Sequence, residues 1–162
     1  MEYWDLYDKD RKPLGRIHLR GDNFEDGEYY ICCEIWVINP EGKLLVTKRH
    51  PNKKAGNLWE FVGGGTLAGE NTKQSAVREL FEETGIKISE SELKLLATNA
   101  HKNYFQDIYI VKSDALIESV VLQPEETVDA KWVSFEEIEK MIANEEFVYT
   151  VGKRFKAFGD KI

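Results

Sequence analysis

Positive charge is what this sequence most obviously lacks. Twenty-two Lys and Arg stand against 29 Asp and Glu, a formal net charge of −7. Such a chain has no overall field to attract phosphate backbones or anionic lipid, so neither nucleic acid nor a membrane surface is an expected partner. A phosphorylated small molecule would need a local basic patch or bound cations. No apolar run approaches the roughly 20 residues of a membrane span, and the opening MEYWDLYDKD has no apolar signal core. The expected location is the cytoplasm. Repeats and low-complexity tracts are also missing. Cysteine is scarce: Cys32 and Cys33 are the only two. As neighbours on a strand they would point to opposite faces, which works against a disulfide. Their spacing is not that of zinc ligands either. They read as core residues of YYICCEIWVI.

The 162 residues suit one domain, 1–162, and a composition that is 42% hydrophobic and 12% aromatic can bury a sizeable core. YWDLYD and LGRIHLR alternate as two short strands before the loop GDNFEDGE. Tyr29 to Asn39 is a long β-branched and aromatic run, NPEG carries turn chemistry, and KLLVTK returns, so 29–48 predicts a hairpin. After the polar loop HPNKKAGN, LWEFV predicts one strand feeding three glycines. Asn71 or Thr72 can cap a helix running to about Thr84, with Gly85 just past its end. Strands follow near Leu93–Ala100 and Tyr104–Val111, then VDAKWV. The capping box Ser134-Phe-Glu-Glu137 opens the helix SFEEIEKMIANEE. The basic, aromatic tail from Thr150 to Ile162 suggests a short last helix. Strands and helices mix without βαβ alternation, which predicts an α+β domain: a mixed sheet with helices on its faces.

Chemistry concentrates in Gly63 to Ile86, GGGTLAGENTKQSAVRELFEETGI. On a helix, Val77, Leu80, Phe81 and Thr84 form a core-facing stripe. Glu79, Glu82 and Glu83 then share one neighbouring arc. Like-charge pairs at this spacing cost about 0.2–0.5 kcal/mol each, and a helix C-terminus disfavours negative charge further. Arg78 relieves only part of it. A divalent cation would resolve the repulsion, because hard cations take carboxylate oxygens and Mg²⁺ is shared between carboxylates, water and substrate phosphates. The glycines let backbone approach an anion closely. Together these features describe a pyrophosphate site.

Gly64, Glu70, Arg78, Glu79, Leu80, Glu82, Glu83, Gly85 and Ile86 fill every specified position of G-x5-E-x7-R-E-U-x-E-E-x-G-U, where U is aliphatic. The stretch therefore resembles the box of the Nudix family. A chance match is on the order of 10⁻¹⁰ per window at average residue usage. LLVTKR, LWEFVGGG and QPEETVDAKWVSFEEI extend the resemblance over roughly 29–145, leaving 1–28 and 146–162 as extensions. It implies an α/β/α sandwich and Mg²⁺- or Mn²⁺-dependent hydrolysis of a nucleoside diphosphate linked to another group. Glu79, Glu82 and Glu83 would ligate the metal. Glu79, Arg78 and Glu82 would form the catalytic set, with Glu79 or Glu126 as base, and Arg78 and Glu70 would orient the ligands. Val62 stands where many members carry proline.

The N-terminal layout resembles the isopentenyl-diphosphate isomerase-like branch of that family. Yet Gly63 and Gly65 stand where the isomerase has cysteine and histidine, Tyr30 stands where the branch commonly has histidine, and Asn103-Tyr104-Phe105 lacks its paired glutamates. A pyrophosphohydrolase is therefore the expected activity; isomerisation and non-catalytic nucleotide sensing are the alternatives. Gly63, Gly64, Gly65, Lys48, Arg49 and Glu126 are the expected substrate contacts. Trp36, Trp59, Tyr104 and Phe105 could stack a base or fill the core, and the facing of Asp107 is left open. His18, His50 and His101 show no metal spacing. A homodimer is compatible with the aromatic termini.

Overall fold

The computed structural model describes residues 1–162. Two antiparallel strands, β1 (Tyr3–Tyr7) and β2 (Pro13–Leu19), form a small sheet. Seven more build a mixed sheet: β3 (Tyr30–Ile38), β4 (Leu44–Arg49), β5 (Trp59–Glu60), β6 (Val62–Gly65), β7 (Lys94–Ala100), β8 (Tyr104–Lys112) and β9 (Thr127–Val133). The order is β5-β4-β3-β8-β7, with β6 also on β3 and β9 also on β4. β3 and β8 run parallel; the other pairs are antiparallel. Helix α1 (Thr72–Thr84) packs on one face, and α2 (Phe135–Ala143) and α3 (Tyr149–Phe158) on the other. This is the expected α+β sandwich.

Burial of β3 on both faces explains why its sequence is almost continuously apolar. Cys33, Ile35 and Val37 meet Ala76 and Leu80 of α1. Trp36 meets Phe61, Ile108, Ile138 and Phe155 on the side of α2 and α3. Val151 and Phe155 make α3 part of the main core.

The hairpin expected over 29–48 exists only at its tip. β3 and β4 pair at Ile38↔Leu44, where Asn39 Oδ1 accepts from the amides of Glu41 and Lys43, and then they splay. The gap is filled by the segment expected to be one strand. LWEFV breaks at Phe61: Trp59 and Glu60 pair with β4, whereas Val62–Gly65 crosses to β3. The glycines are thereby fixed against Cys32–Ile35.

Helix α1 begins and ends as its sequence indicates. Asn71 and Gln74 form a reciprocal capping box, and Gly85 closes the helix at φ +73°. Its buried face, however, is rotated from the expected stripe. Thr72, Ser75, Ala76, Leu80, Glu83 and Thr84 face inward, Val77 is half-buried, and Phe81 is 48% exposed under Lys87. The small residues Ser75 and Ala76 let the helix approach the sheet, and that rotation turns Glu83 inward. Leu80→Ala is expected to cost about 2–5 kcal/mol, and Phe81→Ala less than about 1 kcal/mol, by urea unfolding.

The small sheet is tied to the large one. Tyr7 pairs with Tyr29, and Trp4 and Leu6 are buried. In the β1–β2 turn, Arg11 (φ +62°) reaches β8, placing Nη1 2.8 Å and Nη2 2.5 Å from the two Asp107 oxygens; Thr98 also donates to Asp107. Burial alone would raise the Asp107 carboxyl, but these donors hold it below its ordinary value. A depressed acid contributes stability above its unfolded pKa, near 3.9, and loses it as pH falls through the folded value. Asp107→Asn should therefore lower stability at neutral pH by about 1–3 kcal/mol and reduce the slope of melting temperature against pH below about 4.

Candidate active site

A cavity of about 300 Å³ opens where β6, α1 and the loop before β9 meet. Gly63, Gly64 and Gly65 form its edge, and Glu79, Glu82 and Glu83 project from α1. Gly64 is needed here for space: a Cβ would collide with the Glu79 carboxylate. At Gly63 a Cβ would strike the backbone carbonyl of Cys33, and at Gly65 it would stand 2.6 Å from Trp4 Nε1.

Arg78 organises the cluster. Its Nε and Nη2 donate to the two oxygens of Glu70 at 2.8 and 3.0 Å, and Nη2 also donates to the Gly65 carbonyl at 3.2 Å. Nη1 donates to Glu79 at 2.8 Å and to Glu82 at 3.3 Å. Glu70 also accepts from the Leu67 amide. Partial burial works against the Glu70 charge, but Arg78 and that amide hold its carboxyl below the usual range. Burial, offset only in part by Arg78 and aided by Glu82, pushes Glu79 up to about 7. Glu83 is 7% exposed and takes no hydrogen bond from the chain; burial first, then Glu60 and Glu79, drive its carboxyl well above the ordinary value.

Basic residues line the opposite wall. Arg49 pairs with Glu60 at 2.8 Å, Lys53 pairs with Glu126, and Arg20 pairs with Glu2 at 2.8 Å. Each is matched by a carboxylate and the lining holds more acidic than basic side chains, so an anionic ligand would need a bound cation as well. Deeper, Arg154 of α3 donates through Nε and Nη2 to Glu34 at 2.9 and 2.6 Å, and Trp36 Nε1 donates to the other Glu34 oxygen at 2.8 Å.

The structure brings together most residues singled out from sequence: Gly63, Gly64, Gly65, Arg49, Glu79, Glu82, Glu83 and Glu126 all line the cavity. Lys48 does not. The strand alternates, so Lys48 points to the α2 side and lies 5.8 Å from the Trp59 ring. Trp36, Trp59 and Phe105 are buried rather than free to stack on a ligand, and Tyr104 stacks on His101. Asp107 is held by Arg11, outside the cavity. Cys33 is core, as expected, but Cys32 faces the cavity, its thiol pushed up to about 12 by burial. Sequence reasoning missed Glu60, Glu34 and Arg154. The available signal was a charged residue inside an otherwise apolar run, Glu60 in LWEFV and Glu34 in ICCEIWVI.

The donor set fits a hard divalent cation. Glu83 is a buried carboxylate with no protein donor, and half-buried Glu79 sets its carboxylate in the space that Gly64 leaves without a side chain. The side chains do not stand as a preformed cage: no three His, Cys, Asp or Glu side chains are gathered at ligating geometry. Arg78 instead holds Glu79 and Glu82.

Fold and site define a Nudix protein. A family model described as the NUDIX domain matches residues 33–151, and the chain belongs to that family. An uncharacterised Nudix hydrolase of Listeria monocytogenes is 33% identical over 150 residues, 91% of this chain and 89% of that protein. More distant relatives include an isopentenyl-diphosphate Delta-isomerase of Citrobacter koseri, 23% identical with 99% and 92% covered. A prenyl-diphosphate phosphatase of Methanosarcina mazei is 26% identical with 91% and 88% covered. The crystal structure of a Deinococcus radiodurans protein superposes with a TM-score of 0.76 at 23% identity, over 91% of this chain and 92% of that one. No helix is long and apolar enough to cross a membrane.

Proposed function

We propose that this chain is a divalent-cation-dependent pyrophosphohydrolase that cleaves a nucleoside diphosphate derivative by attack of water on phosphorus. The carrying observation is the pair Glu79 and Glu83: the Glu79 carboxylate sits against Gly64 and accepts from Arg78, while Glu83 is buried without a donor. Glu79, Glu82 and Glu83 would hold the ion, Mg²⁺ or Mn²⁺. When bound it would neutralise phosphate oxygens and lower the pKa of water. The protein's own part is positional. Arg49, Lys53 and Arg20 face the phosphates. Gly63, Gly64 and Gly65 allow backbone to approach them. Glu70 fixes Arg78, and Arg78 fixes Glu79. Proton removal from water falls to Glu79, with Glu126 across the cavity as the other candidate.

The relative named as a prenyl-diphosphate phosphatase supports diphosphate chemistry. An isomerase reading is disfavoured because the backbone leaves no room for a side chain at Gly63, where that enzyme needs its cysteine. We also read 1–162 as one unit, since Trp4 and Arg154 from the two extensions border the same cavity.

A panel of nucleoside di- and triphosphates, nucleotide sugars and isopentenyl diphosphate, assayed with Mg²⁺ and with EDTA, tests this reading. Release of nucleoside monophosphate or phosphate only with the cation is expected. Conversion of isopentenyl diphosphate without phosphate release, or tight binding without turnover, would overturn it.

A further inference from the structure

The deep end of the cavity contains a polar group that neither the fold nor the metal-binding helix uses. Gln106 is 6% exposed, lines the cavity, and its side-chain amide makes no hydrogen bond within the chain. It lies in a row across the sheet, since Gly65 pairs with Cys32, Cys32 with Gln106, and Gln106 with Asn99. Residues paired in this way share a face. Gly65 contributes no side chain to that row, the Trp4 indole lies over it, and the row then presents Cys32 and Gln106 to the cavity. Trp4 forms a wall, stacked on Tyr30 at 4.3 Å and 8°, with Nε1 itself unpartnered beside Gly65. Arg154 closes the far side, pinned by Glu34.

The Gln106 amide, unpaired in the chain but reachable from the cavity, loses its access to water when a ligand covers it, which is unfavourable unless the ligand answers it. An apolar chain in this space would leave Gln106 unmatched beside a charged guanidinium. A planar ring with a neighbouring donor and acceptor would match both ends of the amide at once, and the ring could lie against the Trp4 and Tyr30 wall. We propose that Gln106 is the residue that reads the base of the nucleoside diphosphate. Its carbonyl oxygen accepts from, and its amide nitrogen donates to, adjacent groups on the ring edge. This assignment rests on the hydrolase reading above for the position of the diphosphate. Gln106 determines specificity and takes no part in the chemistry.

The test compares the best nucleoside diphosphate with ribose 5-diphosphate, which keeps sugar and phosphates but has no base. Gln106→Leu should lower kcat/KM for the nucleoside diphosphate about 10–100-fold, through KM, and leave ribose 5-diphosphate unchanged. Gln106→Glu, which keeps the shape but removes the donor, should change the rank order among bases. Equal losses on both substrates, no loss on either, or an unchanged rank order would overturn the assignment. Calorimetric binding of the free nucleosides to wild type and Gln106→Leu separates this failure from that of the hydrolase reading. Binding that depends on Gln106 without turnover of any diphosphate would sink the hydrolase reading and keep the base contact. Absence of both would sink the base contact too.

Discussion

Glu79→Gln is expected to cut hydrolysis by about 10²–10⁴-fold without lowering the melting temperature. Glutamine keeps the shape that fits beside Gly64 and an oxygen that can accept from Arg78 Nη1. It loses the charge that a cation or a water proton requires. The fold should tolerate the change because burial already disfavours that charge, holding the Glu79 carboxyl up at about 7. Removal of a group that suits chemistry better than folding is a common route by which a dead variant becomes no less stable. Activity assays paired with thermal melting check both halves. A variant that is inactive because it is unfolded would melt well below wild type.

Arg154→Met is expected to destabilise the protein by about 3–5 kcal/mol. The guanidinium and Glu34 are 7% and 4% exposed, and Arg154 supplies both donors to Glu34 Oε2. Without it, a buried carboxylate keeps only the Trp36 indole. Adding Glu34→Gln to Arg154→Met removes the stranded charge and should recover much of the loss, since a broken buried pair costs more than an absent one. Urea unfolding of the two single variants and the double variant measures the coupling. Simple addition of the two single losses would mean that the pair does not interact as the geometry implies.

These two residues also mark where sequence reading stopped. The glycine-to-glutamate stretch was legible because one helix and one loop carry its residues at fixed spacing. The caps at Asn71 and Gly85, the glutamate arc and the glycines all sit within a single local pattern. Glu34 and Arg154 are 120 residues apart, and only the packing of α3 on β3 brings them together. No local spacing encodes that. The same limit explains the misread hairpin. Tyr29 to Lys48 has the right turn and alternation, but the competition of β6 for the edge of β3 and of β9 for β4 is decided by the whole sheet.

The buried face of α1 failed for a subtler reason. Periodicity locates an apolar arc but does not weigh it against close approach. Phe81 fits the expected stripe by hydrophobicity, yet Ser75 and Ala76 fit the tight contact with the sheet better. The rotation that exposes Phe81 is the one that buries Glu83. Lys48 and Arg49 were indistinguishable in sequence and were separated by the alternation of one strand.

The central claim is that Glu79, Glu82 and Glu83 are held close because a divalent cation belongs among them. Calorimetric titration of Mn²⁺ into the metal-free protein, with melting temperature followed in parallel, tests it most directly. Saturable binding that raises the melting temperature is predicted, with both effects lost in Glu83→Gln, whose metal-free form should melt no lower than wild type. A titration without saturable binding and with an unchanged melting temperature, or one equally strong in Glu83→Gln, would contradict it.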